Sequence, residues 1–188
     1  MVIKRSTGLL FGVAISLVAA VSILEANRQR QPQGSVLYDF TEAEVTALTV
    51  RREDLTLEFA KADDGWQMSE PEAAPADPAA VAFLLNLLTT DPITETISVL
   101  PEKLDTYGLD TPSATLELVA NQQNYQLRVG DEDFSGSSVY VTTETPEADA
   151  PLSVHAVPIG IETGIQRPLE EWLATPETDS DDSDAAEP

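Results

Sequence analysis

The chain contains no cysteine. That absence removes disulfides, thiolate metal sites, cysteine nucleophiles and a lipid-modified N-terminal cysteine, and it leaves the redox compartment open. Histidine is nearly absent too: His155 is the only one, with no second imidazole to complete a metal site or a proton relay. Aromatics make up only 6% of the residues, so Tyr38, Trp66, Tyr107, Tyr125, Tyr140 and Trp172 are expected as scattered anchors in an aliphatic core of Leu and Val.

Positive charge is also in short supply. Lys and Arg number 10 against 33 Asp and Glu, a formal net charge of -23. Lys4, Arg5, Arg28 and Arg30 fall in the first 30 residues beside one acid, Glu25, so 6 basic and 32 acidic residues remain beyond them. Such a surface repels phosphate backbones and anionic lipid headgroups, which argues against nucleic-acid binding; basic partners or metal cations are attracted instead. The sequence holds no Gly-rich phosphate loop, no His-Glu-x-x-His, no Gly-x-Ser-x-Gly elbow and no basic-aromatic stripe. No catalytic residue and no cofactor is therefore assigned, and a non-enzymatic protein is expected.

One long apolar run is present. Gly8 to Leu24, including Gly8, Leu9, Leu10, Phe11, Leu17, Val18, Val21 and Leu24, carries no charge and as a helix would reach about 26 Å, close to a bilayer's hydrocarbon core. Lys4 and Arg5 precede it, which favours a cytoplasmic N-terminus over residues 1–7 and a soluble domain on the far side. Arg28 and Arg30 weaken that charge asymmetry, and Val18-Ala19-Ala20 offers a small-residue cleavage site, so a cleaved signal competes with a single-pass anchor. Residues 25–35, with Pro32 and Gly34, read as a polar tether.

A single α+β domain is expected over residues 36–174, made mostly of antiparallel β-hairpins packed on one or two helices. Val45 to Val50, then Leu55, Leu57 and Phe59 alternating with polar residues, read as strands; Asp63-Asp64-Gly65 is a turn before Trp66 and Met68. Asp77 suits an N-cap and Pro78 the first helical position, ahead of Val81, Leu84, Leu85 and Leu88 at helical spacing. A strand at Glu95 to Val99, a helical turn over Pro101 to Thr106 stopped by Gly108, and a second hairpin through Leu116, Leu118, Tyr125, Leu127 and Val129 across a turn at Asn121 to Asn124 follow. Val139 to Thr142 and Leu152 to Val157 suggest further strands, and Pro168 to Ala174 a last helix around Trp172. Thr56 to Met68 aligns without gaps on Thr115 to Leu127, 59 positions later, which is either a repeated hairpin or the common pattern of half-buried hairpins. Residues 175–188 hold six acids and no base, and are expected as a disordered acidic tail.

Two candidates for chemistry stand out, and each has a plainer reading. Asp131, Asp133 and Ser135 before Gly136 match the opening of a calcium loop, yet its twelfth position is Thr142 and not a bidentate glutamate, so an acidic turn is favoured. His155, alone on a strand, reads as structural.

DDGWQM, the Asp-Pro-led leucine helix, KLDTYGLDTPSATLEL, YQLRVG and SGSSVYV together resemble the domain of unknown function 4340 family of bacterial membrane-associated proteins. The resemblance runs over Val45 to Val157, and Tyr107-Gly108-Leu109-Asp110 followed by Pro112 is its most specific part. It carries no catalytic residues over to this chain; some family members resemble or accompany accessory parts of membrane export and gliding systems. Trp66, Tyr107, Gly108, Pro112 and Trp172 are accordingly read as structural. A non-enzymatic, membrane-anchored accessory or assembly subunit is expected, with an integral-membrane protein complex as partner and its domain extracytoplasmic: periplasmic, or in the thylakoid lumen of a photosynthetic host. A ligand- or calcium-binding module is the alternative, and a hydrolase the third.

Overall fold

In the computed structural model, residues 34–175 are described. The expected anchor at Gly8 to Leu24, residues 1–7, nearly all of the tether and all but the first residue of the acidic tail lie outside them. Among the described residues no helix is long and apolar enough to cross a membrane.

Nine strands form one sheet: β1 (Val45–Arg52), β2 (Leu55–Ala62), β3 (Gly65–Glu70), β4 (Ala74–Pro75), β5 (Glu95–Val99), β6 (Ala114–Ala120), β7 (Gln123–Glu132), β8 (Ser138–Thr142) and β9 (Leu152–Pro158). Their order is β4-β3-β2-β1-β6-β7-β8-β9-β5, and every paired neighbour is antiparallel. Two helices, α1 (Pro78–Thr90) and α2 (Gly160–Ile165), and three 3-10 turns complete the α+β domain. The hairpins expected from the alternation are therefore continuous: Leu48 of β1 pairs with Phe59 on one side and Leu118 on the other.

Helix α1 forms where the sequence places it. The Asp77 carboxylate accepts a hydrogen bond from the Ala79 N–H at 2.8 Å, satisfying one donor that the first turn leaves open, and Pro78 contributes no donor that needs a partner. Pro92, just past the C-cap Asp91, bars continuation. Ala80, Val81, Leu84, Leu85 and Leu88 are buried beside Leu48, Val50, Leu57, Phe59, Leu116, Leu118 and Leu127 of the sheet. Each large aliphatic removed from water there contributes roughly 1.5–3 kcal/mol before the entropy of ordering. A smaller cluster of Val99, Leu104, Leu109, Leu152 and Val154 forms against the sheet's opposite face, joined by Tyr107 and Tyr140. The alternation of β8 separates the two clusters: Val139 and Val141 enter the first, while Tyr140 between them enters the second.

Three expectations need correction. The second hairpin turns on Asn121 and Gln122 alone, both left-handed at φ 51° and 63°, while Gln123 and Asn124 already belong to β7. A two-residue hairpin needs positive φ at both central residues, and a polar run by itself does not locate them. The last helix shortens to a 3-10 turn at Leu169–Trp172, and the regular helix α2 precedes it in a segment whose two glycines hide helical propensity.

The third correction concerns the repeat. At an offset of 59 the ladders disagree, since Phe59 pairs with Met68 but Leu118 pairs with Tyr125. They agree when β1 and β2 are laid on β6 and β7. Arg52↔Leu55 and Ala120↔Gln123 close the two hairpins at the same rung, as do Leu48↔Phe59 and Leu116↔Leu127, a spacing of 68 positions. Each half is then a four-strand meander followed by a helix, with β1 and β6 antiparallel at the join.

Candidate functional site

The most specific part of the sequence pattern is an architectural joint. Pro101–Tyr107 ends in Gly108 at φ 66°, and the Leu109 N–H returns to the Leu104 carbonyl at 3.0 Å, which closes the turn in the manner of a Schellman cap. The chain then crosses β7 so closely that a Cβ on Gly130 would strike the Tyr107 carbonyl oxygen, and one on Gly108 would strike Asp131. An Arg128 guanidinium nitrogen donates to the Leu109 carbonyl at 2.5 Å, and Tyr107 stacks edge-on against Tyr140, centroids 4.9 Å apart. Tyr107, Gly108, Gly130 and Asp131 thus fix where β7 ends.

Beyond that joint lies the segment with calcium-loop spacing. The structure makes it a self-satisfied turn between β7 and β8. Asp133 accepts from the Ser135 hydroxyl at 2.8 Å and from the backbone N–H of Ser137 and Ser138 at 3.0 and 3.1 Å. Those donors hold its carboxyl below the usual range, the Ser135 hydroxyl first among them. Asp131 lies against Gly108 at the crossing, while Asp133 and Ser135 bond each other within the turn. Among the described residues no group of three or more His, Cys, Asp or Glu is placed to hold a metal ion. What the turn does present is Phe134, fully exposed at 103%. Sequence reasoning missed it; its signal was an aromatic inside an Asp/Ser/Gly turn, off the alternation of both strands.

Beside this turn a groove of about 470 Å³ is lined by Glu132, Glu162, Gln166, Arg167 and Glu171. Glu162 carries a buried carboxylate oxygen with no hydrogen-bond partner among the described residues. Its pKa is raised, first by burial and then by Glu132 and Asp131. A larger groove, about 810 Å³, opens where β8 stops and β7 continues, lined by Tyr38, Thr49, Glu117, Gln126 and Thr145 among others. There the Tyr38 hydroxyl donates to the Gln126 carbonyl at 2.6 Å. That hydroxyl's pKa is pushed up by burial and by Tyr125.

The remaining singled-out residues are structural in position. Trp172 is fully buried against Phe59, centroids 5.3 Å apart, and its indole N–H donates to the Arg167 carbonyl. Trp66 is 3% exposed with Lys61 over its ring. Pro112 leads from the joint into β6. His155 lies within hydrogen-bonding distance of the Thr96 hydroxyl, 2.9 Å from Nδ1; burial lowers its pKa and Glu144 opposes that shift.

Residues 66–186, well over half of the chain, match the family described as Domain of unknown function (DUF4340). No curated protein matches the chain, and no solved structure does.

Proposed function

The chain belongs to the DUF4340 family, and from that premise we propose that it is a non-enzymatic accessory or assembly subunit, anchored in a membrane and docked on an integral-membrane protein complex. The observation that carries this reading is Phe134, held at 103% exposure on a turn closed by the hydrogen bonds of Asp133. A Phe that buries nothing contributes nothing to its own fold. Held on a preorganised loop, it offers a binding partner a large apolar area at little cost in ordering. The apolar run from Gly8 to Leu24 supports the anchor, and Lys4 with Arg5 supports an extracytoplasmic domain, periplasmic or lumenal.

Gentle detergent extraction of tagged full-length protein, followed by size analysis, tests this reading. The protein should travel with an integral-membrane protein and be released from it by Phe134→Ala. Wild-type protein that travels alone overturns it. Protease digestion of the acidic tail in sealed vesicles tests the orientation separately.

A ligand-binding module is a second reading, favoured by the groove of about 810 Å³ with its tyrosines, amides and threonines. A small molecule retained through purification and lost in Gln126→Ala would support it over docking.

A further inference from the structure

Accepting docking through the β7–β8 turn, we infer that the partner surface is a protein pocket that is apolar at its floor and rimmed by lysine or arginine side chains. The ring of Phe134 supplies the apolar plug. Its surroundings supply the charge: Asp131 and Glu132 precede it on β7, Asp133 lies at its base, and the adjoining groove adds Glu162, beside a Glu171 that Arg167 already pairs. Two ion pairs are formed among the described residues, Arg51–Glu117 and Arg167–Glu171, and neither neutralises Asp131, Glu132 or Asp133. A partner that closes over Phe134 must therefore bring positive charge to this rim or leave carboxylates facing a desolvated contact, which is costly. The same charges disfavour the other apolar target within reach of an exposed aromatic, a bilayer surface, because anionic headgroups repel them.

Residue 134 tolerates change without loss of the fold, since its side chain is fully exposed. Benzoylphenylalanine is placed there in the full-length protein, in the membranes of the cells that make it, and the adducts formed on illumination are mapped by mass spectrometry. One protein adduct is expected, at apolar residues flanked by Lys or Arg. Its yield at limiting exposure should fall roughly tenfold or more at high salt and in Glu132→Gln/Glu162→Gln. A single protein adduct without basic neighbours, or one insensitive to salt and to both neutralisations, overturns the basic rim while leaving docking intact. Adducts spread over lipid, or none at all, overturn the basic rim and the docking reading together.

Discussion

Three glycine-to-alanine substitutions separate the two costs that the crossing of Tyr107–Asp110 over β7 implies. Gly65 has φ 119° and open space where a Cβ would stand, so Gly65→Ala meets backbone strain without a clash; about 1–3 kcal/mol is expected. Gly130 has no left-handed φ, but its Cβ would meet the Tyr107 backbone carbonyl, which cannot turn aside as a side chain can. Overpacking of that kind costs roughly 1–3 kcal/mol, and more where backbone must move. Gly108 combines both, a φ of 66° and a Cβ position occupied by Asp131, so about 2–5 kcal/mol is expected from the sum of a left-handed residue and a clash.

For a domain of this size each kcal/mol lowers Tm by roughly 2–4 °C. Gly108→Ala should thus melt about 4–20 °C below wild type, and Gly65→Ala about 2–12 °C below it. Urea titration read by tryptophan fluorescence gives the free energies, because Trp66 and Trp172 both sit in the first core cluster. If Gly130→Ala is neutral, the two segments are not held in backbone contact and the account of the joint is wrong. A second readout connects the joint to the turn: amide exchange at residues 133–138 should quicken in Gly130→Ala and stay unchanged in Gly65→Ala.

Replacing Asp77 with Ala removes the acceptor for the Ala79 N–H and should cost about 1 kcal/mol, seen as a lower urea midpoint at unchanged slope; no shift would mean that water caps the helix equally well. The folded pKa of His155 lies below its ordinary 6.5, so the unfolded chain takes up a proton that the folded chain resists. Stability from this group is complete above that ordinary value and is lost as the pH falls through it toward the folded pKa. The stability difference between wild type and His155→Gln should therefore shift against wild type between pH 7 and 5; a difference independent of pH refutes the burial argument. Glu162, whose pKa is raised, works in the opposite direction but is common to both proteins and cancels. Calcium titrated to millimolar concentration should give no saturable heat, because hydroxyl and amide donors already occupy Asp133; a one-to-one isotherm lost in Asp133→Asn would contradict this.

Local rules carried most of the fold. Asp77-Pro78 and the leucine spacing placed α1, alternation placed the strands, and Gly108 was legible as a stop because a left-handed cap after a short turn favours glycine. The joint with Gly130 was not legible: that glycine reads as an unremarkable strand residue until the crossing chain is in place. Register was hidden for a related reason. Apolar alternation is the same at offsets of 59 and 68, and only hydrogen-bonded partners choose between them. Of the candidate site, Asp131, Asp133 and Ser135 were legible as an acidic turn with the opening spacing of a calcium loop. Their spacing suits a cation, but spacing does not reveal that Ser137 and Ser138 turn their own N–H groups inward. Phe134 went unseen because the alternation rule that finds core aromatics has nothing to say about an aromatic in a turn.

The corrected repeat gives a reason to look at that turn. Laid in register, the two halves agree through their first hairpins, whose turns are equally short, Glu53-Asp54 and Asn121-Gln122. They diverge at the next connection. Between β2 and β3 only Asp63 and Asp64 intervene, whereas Asp133 to Ser137 separate β7 from β8. Both ladders shift register, between Glu58 and Phe59 in the first half and between Val129 and Glu132 in the second, but only the second shift lies beside its turn, where bulges next to working surfaces are commonly found. Two meanders of like topology meet the same folding demands, so the added residues of one are not explained by the sheet. They carry a fully exposed Phe, three buttressing hydrogen bonds to one carboxylate and an acidic flank. A chain needing only to close a hairpin requires none of these, and the shorter turn of the first half closes its hairpin without them.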